Sequence, residues 1–150
     1  MTISGTRRSI VMGWEGWGMS ACMALRARLT VPGRPEQVAT ARATVAVALG
    51  ASHPCTDAAV LVTSELVTNS VIHSDSGQAG GTITITVVEV CDRLRIEVTD
   101  DGAAKSPALR LAGGDDEAGR GFELIDALAA RWACRRDNTG KTTTWAELVP

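Results

Sequence analysis

Glu65, Asn69 and His73 recur every fourth residue within CTDAAVLVTSELVTNSVIHS, residues 55–74. On an α-helix that spacing turns each side chain only about 40° from the one before, so carboxylate, amide and imidazole form one polar column. Leu61, Val62, Leu66, Val67, Val71 and Ile72 occupy the neighbouring arc, which predicts a core helix with a polar stripe along its edge. A carboxylate one turn ahead of an amide suits a metal–phosphate group. The amide ligates magnesium without adding charge, and the carboxylate orients or deprotonates a nucleophile. The same spacing also arises in an ordinary helix with a charged edge, so these residues need company from elsewhere in the chain.

Two later stretches supply that company. Asp100-Asp101-Gly102 ends a strand-like run. An ionised aspartate there can accept hydrogen bonds from an exocyclic amine, and glycine lets a flat ligand approach; a plain Asp/Gly turn has the same composition. Asp101 beside Asp100 adds a like charge, which either raises one carboxyl pKa or is solvated away in an exposed turn. Gly119-Arg120-Gly121-Phe122 precedes an amphipathic run through Ile125 and Leu128. Glycines opening a helix expose backbone N–H groups to an anion, although a loop glycine pair before an ordinary helix reads alike.

The elements that must position these residues follow from periodicity. Leu25 to Val31 alternates as a short strand, with Leu25, Ala27, Leu29 and Val31 on one side, and is broken by Pro32-Gly33-Arg34-Pro35. Val38, Ala41, Val45, Ala48 and Leu49 recur at helical spacing from Glu36 to Leu49, with Gly50 as the stop. Arg42 lies in that helix, where it reads as a snorkelling surface arginine. Thr82 to Val90 and Leu94 to Thr99 form a hairpin with one buried face, and Trp132 to Arg136 and Thr142 to Val149 supply two more strands. Between them, Ala103 to Ala118 has the small, polar composition of a lid. The expected fold is α+β: a two-layer sandwich of a mainly antiparallel mixed sheet with three helices on one face.

Composition narrows the function classes. A chain of 150 residues with 45% hydrophobic content makes one globular domain with a proper core. A net charge of −2 and a pI near 5.7 leave no basic stripe for nucleic acid, and no stretch has the length of a membrane span. The positive charge is almost all arginine, which favours bidentate contacts with carboxylate or phosphate. Cys22, Cys55, Cys91 and Cys134 each stand more than thirty residues from the next, so they read as scattered structural thiols in a reducing cytosol. Residues 1–24 read as a poorly ordered leader; Arg7-Arg8 has the look of a twin-arginine signal, but Glu15 and several glycines replace a clean apolar segment. The domain proper is expected over residues 25–150.

The three stretches, in this order, resemble the N, G1 and G2 boxes of the ATPase superfamily that unites gyrase, histidine kinases, mismatch-repair ATPases and heat-shock chaperone ATPases, the Bergerat fold. Within it, SELVTNSVIH at 64–73 and GRGFELI at 119–125 are similar to the anti-sigma-factor serine/threonine kinases and their stand-alone bacterial relatives, over about residues 25 to 149.

The resemblance implies ATP and Mg²⁺ as cofactors, with Glu65 as general base and Asn69 as magnesium ligand. It places His73 near the phosphates or lid, Asp100 on the adenine amino group and Gly102 under the ring. Gly119, Arg120, Gly121 and Phe122 would lie along the phosphates, and Thr142 or Thr143 would supply the adenine-side threonine. Arg42 matches a first-helix arginine used around the γ-phosphate or a partner.

The implied activity is a cytoplasmic serine/threonine kinase in transcription regulation. It would phosphorylate an anti-anti-sigma protein and hold a sigma factor as second partner, by analogy as a homodimer. A nucleotide-gated binding module without phosphotransfer and a detached histidine kinase catalytic domain are the rival readings. The sequence departs from the family pattern at Ala104, where a second G1 glycine often stands, and in its short lid.

Overall fold

The computed structural model describes residues 2–4, 22–103 and 116–150, with 2–4 and 116–120 as backbone only. The element order is β1 (Thr2–Ser4), β2 (Met23–Pro32), α1 (Glu36–Leu49), α2 (Thr56–His73), a 3-10 turn (Asp75–Gly77), β3 (Thr82–Val90), β4 (Arg93–Asp100), α3 (Asp116–Leu128), β5 (Arg131–Arg136) and β6 (Thr142–Leu148). The strands form one six-stranded sheet in the order β1-β5-β6-β4-β3-β2. Every pairing among the described strands is antiparallel, so the sheet is not mixed as expected. Of the residues expected to form a leader, Thr2–Ser4 pair with β5 and Met23 and Ala24 begin β2. Residues 5–21 lie outside the described residues.

The three helices share one face of the sheet because their apolar sides and the alternate residues of the strands close one core. Val45, Val62, Leu66 and Val67 from α1 and α2 join Ile83, Ile85 and Val87 of β3, Leu94, Ile96 and Val98 of β4, and Ile125 of α3 in that cluster. Leu61 and Ile72, expected on the buried arc of α2, are instead 45% and 65% exposed. α2 needs only the narrow stripe through Val62, Leu66 and Val67 to seat on the sheet. In α1 no side chain caps the N-terminus, whereas Gly50 at φ 79° ends it with its N–H on the Ala46 carbonyl.

The hairpin differs from a strand pair with one wet face. Arg95 and Glu97, on the side of β4 away from the helices, are 7% and 8% exposed. They persist there as an ion pair at 2.8 Å, with the Arg95 guanidinium 4.1 Å from the centre of the Trp145 ring. Burial holds the Arg95 guanidinium below its ordinary pKa and pushes the Glu97 carboxyl up. Glu147, fully buried, receives Arg131 Nε at 2.8 Å and lies 3.5 Å from Arg93.

A second departure lies in β2, where the register shifts between Leu25 and Ala27. Ala27 pairs with Val87 of the core, but Leu25 pairs with Val88 on the opposite face and is 62% exposed. One extra residue in the strand reverses which face each side chain takes.

The cysteine reading also changes. Cys22 and Cys91 form a disulfide across 69 positions of sequence, while Cys55 and Cys134 are buried outside it. Cys22 precedes Met23, which pairs with Val90, and the Cys91 N–H reaches the Cys22 carbonyl at 3.1 Å. The bond therefore continues the β2–β3 register at its far end. Linear separation hid the pair because antiparallel pairing, not spacing, brings it together.

Candidate functional site

α2 organises the site. Its Glu65 and Asn69 are half-buried, one turn apart, and face the third helix. A methyl group placed on Gly121 would lie 2.8 Å from Glu65 Oε2 and 3.6 to 3.7 Å from the Asn69 amide atoms. Gly121 is thus the point at which α3 meets the polar column, and a side chain there would occupy the carboxylate's place. The Asn69 Nδ2 atom is buried without a hydrogen-bond partner. His73 is half-buried in the last turn of the same helix.

One residue beyond Asn69, the helix reaches the second cluster. The Ser70 hydroxyl donates to Asp100 Oδ2 at 2.7 Å, and the Gly102 N–H donates to Asp100 Oδ1 at 2.8 Å. Asp100 is 3% exposed at the end of β4 and stands directly opposite Thr142 of β6. The Thr142 hydroxyl is buried and has no partner. Gly102 holds φ at 76°, and a β-carbon there would meet the Gly140 carbonyl oxygen at 2.0 Å. Glycine is required twice over, for conformation and for close approach.

Strand alternation puts Thr142 and Thr143 on opposite faces of the sheet. Thr142 shares a face with Asp100, on the helix side, while Thr143 pairs with Thr99 and shares a 2.8 Å hydrogen bond with its hydroxyl on the far side. Thr143 is turned away from the site. Arg42 is exposed on α1 and forms no hydrogen bond or ion pair with the Glu65–Asn69–Gly121 cluster. Phe122 stacks obliquely on Trp132, with ring centres 5.0 Å apart, and packs against the core.

Gly119 and Gly121 do not open the helix. α3 begins at Asp116, so both lie inside it, where helical geometry directs their N–H groups along the axis. The side chain of Arg120, residues 104–115 of the expected lid and Ala104 lie outside the described residues.

Several residues of the site went unmarked in the sequence. Ser70 falls in the core register one turn after Leu66 and Val67, and a hydroxyl there must find a partner. Ser76 Oγ receives the Asp101 N–H at 2.8 Å and donates to the Thr82 carbonyl at 2.6 Å. Lys141 Nζ lies 2.8 Å from Asp101 Oδ1. That hydrogen bond holds the Asp101 carboxyl below its ordinary pKa and raises the lysine, so the like charge of Asp100 does not dominate.

The residues fit an adenine nucleotide. An unpartnered buried donor at Asn69 and an unpartnered hydroxyl at Thr142 would each cost about 1–3 kcal/mol if nothing met them. Asn69 Nδ2 suits an anionic oxygen, and Oδ1 is the atom through which an amide ligates a cation. No three His, Cys, Asp or Glu side chains converge among the described residues, so a divalent ion here would take most of its oxygens from phosphate and water. No helix of the described residues is long and apolar enough to cross a membrane.

No curated protein matches the chain. A family model described as the histidine kinase-like ATPase domain matches residues 31–146, which span α1 through most of β6 and every residue that forms the two clusters. That span covers most of the chain and ends inside the strand carrying Thr142, which places the chain in the histidine kinase-like ATPase domain family.

Proposed function

We infer that this ATPase-type domain is a serine/threonine protein kinase of the anti-sigma kind, which transfers the γ-phosphate of ATP to a small anti-anti-sigma protein. The observation that supports this most is the double attachment of α2. It sets Glu65 and Asn69 against Gly121 and, through the very next residue, holds Asp100.

Bound ATP with its magnesium ion would supply the transferable phosphoryl group and neutralise its charge. The remaining work belongs to the chain. Asp100, with both oxygens anchored, accepts an N–H from the base, and Thr142 offers the hydroxyl beside it. Gly102 keeps the plane of the base clear. Asn69 orients the phosphate end, and Glu65 takes the proton of the incoming hydroxyl.

A second reading, a nucleotide-gated partner-binding module without phosphotransfer, draws on one feature. α3 already begins at Asp116, so the glycine N–H groups are spent inside the helix in this conformation. Incubation with γ-labelled ATP and candidate anti-anti-sigma proteins separates the two. A kinase moves label onto a partner serine or threonine; nucleotide-dependent complex formation without label would favour the binding module.

Gly121→Ala probes the junction of the two helices. The new methyl displaces the Glu65 carboxylate, the far end of a flexible side chain, while helix propensity favours alanine by about 1 kcal/mol. The expected result is a thermal midpoint at or above wild type with nucleotide binding weakened about tenfold, the worth of one charge-assisted contact. Melting curves and calorimetry on the same sample check it, and unchanged affinity would remove Gly121 from the site.

A further inference from the structure

The loop that presents Asp100 and Gly102 is fastened by the residue between them, to which the resemblance assigns no role. Asp101 sits between them and the bulk of the fold, and it faces three separate pieces of chain. Its N–H donates to Ser76 Oγ at 2.8 Å, Oδ2 receives the Thr82 N–H at 2.9 Å, and Oδ1 receives Lys141 Nζ at 2.8 Å. The 3-10 turn, the start of β3 and the β5–β6 turn therefore meet at one residue, the first through its N–H and the other two through its carboxylate.

The partner is itself held in place. Asp137 Oδ1 accepts the N–H groups of Thr139 and Lys141 at 2.8 and 3.1 Å, which shapes the turn from which Lys141 projects. Lys141 is followed directly by Thr142, and Gly140 before it presses its carbonyl against Gly102. The Asp101–Lys141 bond thus spans the gap between the strand end bearing Asp100 and the strand start bearing the unpartnered Thr142 hydroxyl.

We propose that Asp101 and Lys141 are positioning residues that set the width of the base-binding end of the site. This rests on the reading that the site takes an adenine nucleotide. Neither residue touches the base; they act through Asp100, Gly102 and Thr142. Their loss should therefore weaken adenosine and ATP alike, whereas a defect at the phosphate end would spare adenosine.

The test is equilibrium binding of adenosine and of ATP with magnesium to the full chain and to Asp101→Ala, Lys141→Met and the double variant, with melting curves on each. Each single change is expected to weaken both ligands about tenfold, the worth of one hydrogen-bonded contact, and the double no more than the stronger single. Adenosine carries no charge, so high salt should weaken its binding to wild type, by screening the half-exposed pair, and not to the double variant. Lys141→Met keeps the Asp101 bonds to Ser76 and Thr82, so it decides the matter should Asp101→Ala fail to fold. Wild-type affinity for adenosine in Lys141→Met, a loss confined to ATP, or additive losses in the double variant would overturn the positioning role. A wild-type chain that binds neither ligand would instead overturn the nucleotide reading, and the positioning role with it.

Discussion

Glu65→Gln is expected to bind magnesium nucleotide with near wild-type affinity while transferring phosphate about a thousandfold more slowly, within the range attributed to a positioned general base. Glutamine keeps the shape of glutamate, so the contact with Gly121 and the seat of α2 on the sheet are preserved. What it loses is the ability to take a proton. Calorimetry would report affinity, and single-turnover transfer to a partner protein would report the chemical step. A Glu65→Gln protein that transfers at the wild-type rate would remove Glu65 as the base; loss of binding and transfer together would make it a structural or ligand-binding carboxylate.

Removing the Cys22–Cys91 disulfide is expected to cost about 4 kcal/mol of stability, because closing a loop of this length restricts the unfolded chain by about that much. For a domain of this size that corresponds to a drop of about 10 °C in the thermal midpoint. The strand it tethers buries little else, since Met23 and Leu25 are 54% and 62% exposed and Val31 is the buried hydrophobic residue of β2. Cys22→Ser with Cys91→Ser, melted beside the wild type with and without reductant, checks the figure. Equal midpoints for all samples would show that strand pairing alone holds β2. Nucleotide affinity should survive, because Cys91 lies in the turn before β4 and Asp100 at that strand's other end.

The candidate site was legible in part. Its helix was readable because Glu65, Asn69 and the core residues of α2 share one period, and helical periodicity survives any tertiary arrangement. Asp100 and Gly102 stood out only through the resemblance, because a plain Asp/Gly turn at a strand end has the same composition. Ser70, Ser76 and Lys141 were not readable, since a hydroxyl or an ammonium acquires a role only from the partner that the fold delivers. Thr142 and Thr143 could not be told apart until β6 was set in register with β4. α3 starts before the glycines because Asp116 and Glu117 also favour a helix start, a signal that the small, polar composition of Ala103 to Ala118 masks.

The linear order of residues was enough for the α+β class, the α1 boundaries at Glu36 and Leu49 and the polar column of α2, because each depends on contacts or periods within a few residues. The all-antiparallel strand order, the outward turn of Leu25, the buried Arg95–Glu97 pair and the Cys22–Cys91 bond were decided only in three dimensions. Each joins positions whose separation along the chain carries no signal or hangs on a single inserted residue. Strand register sets them, and register is a property of two strands together.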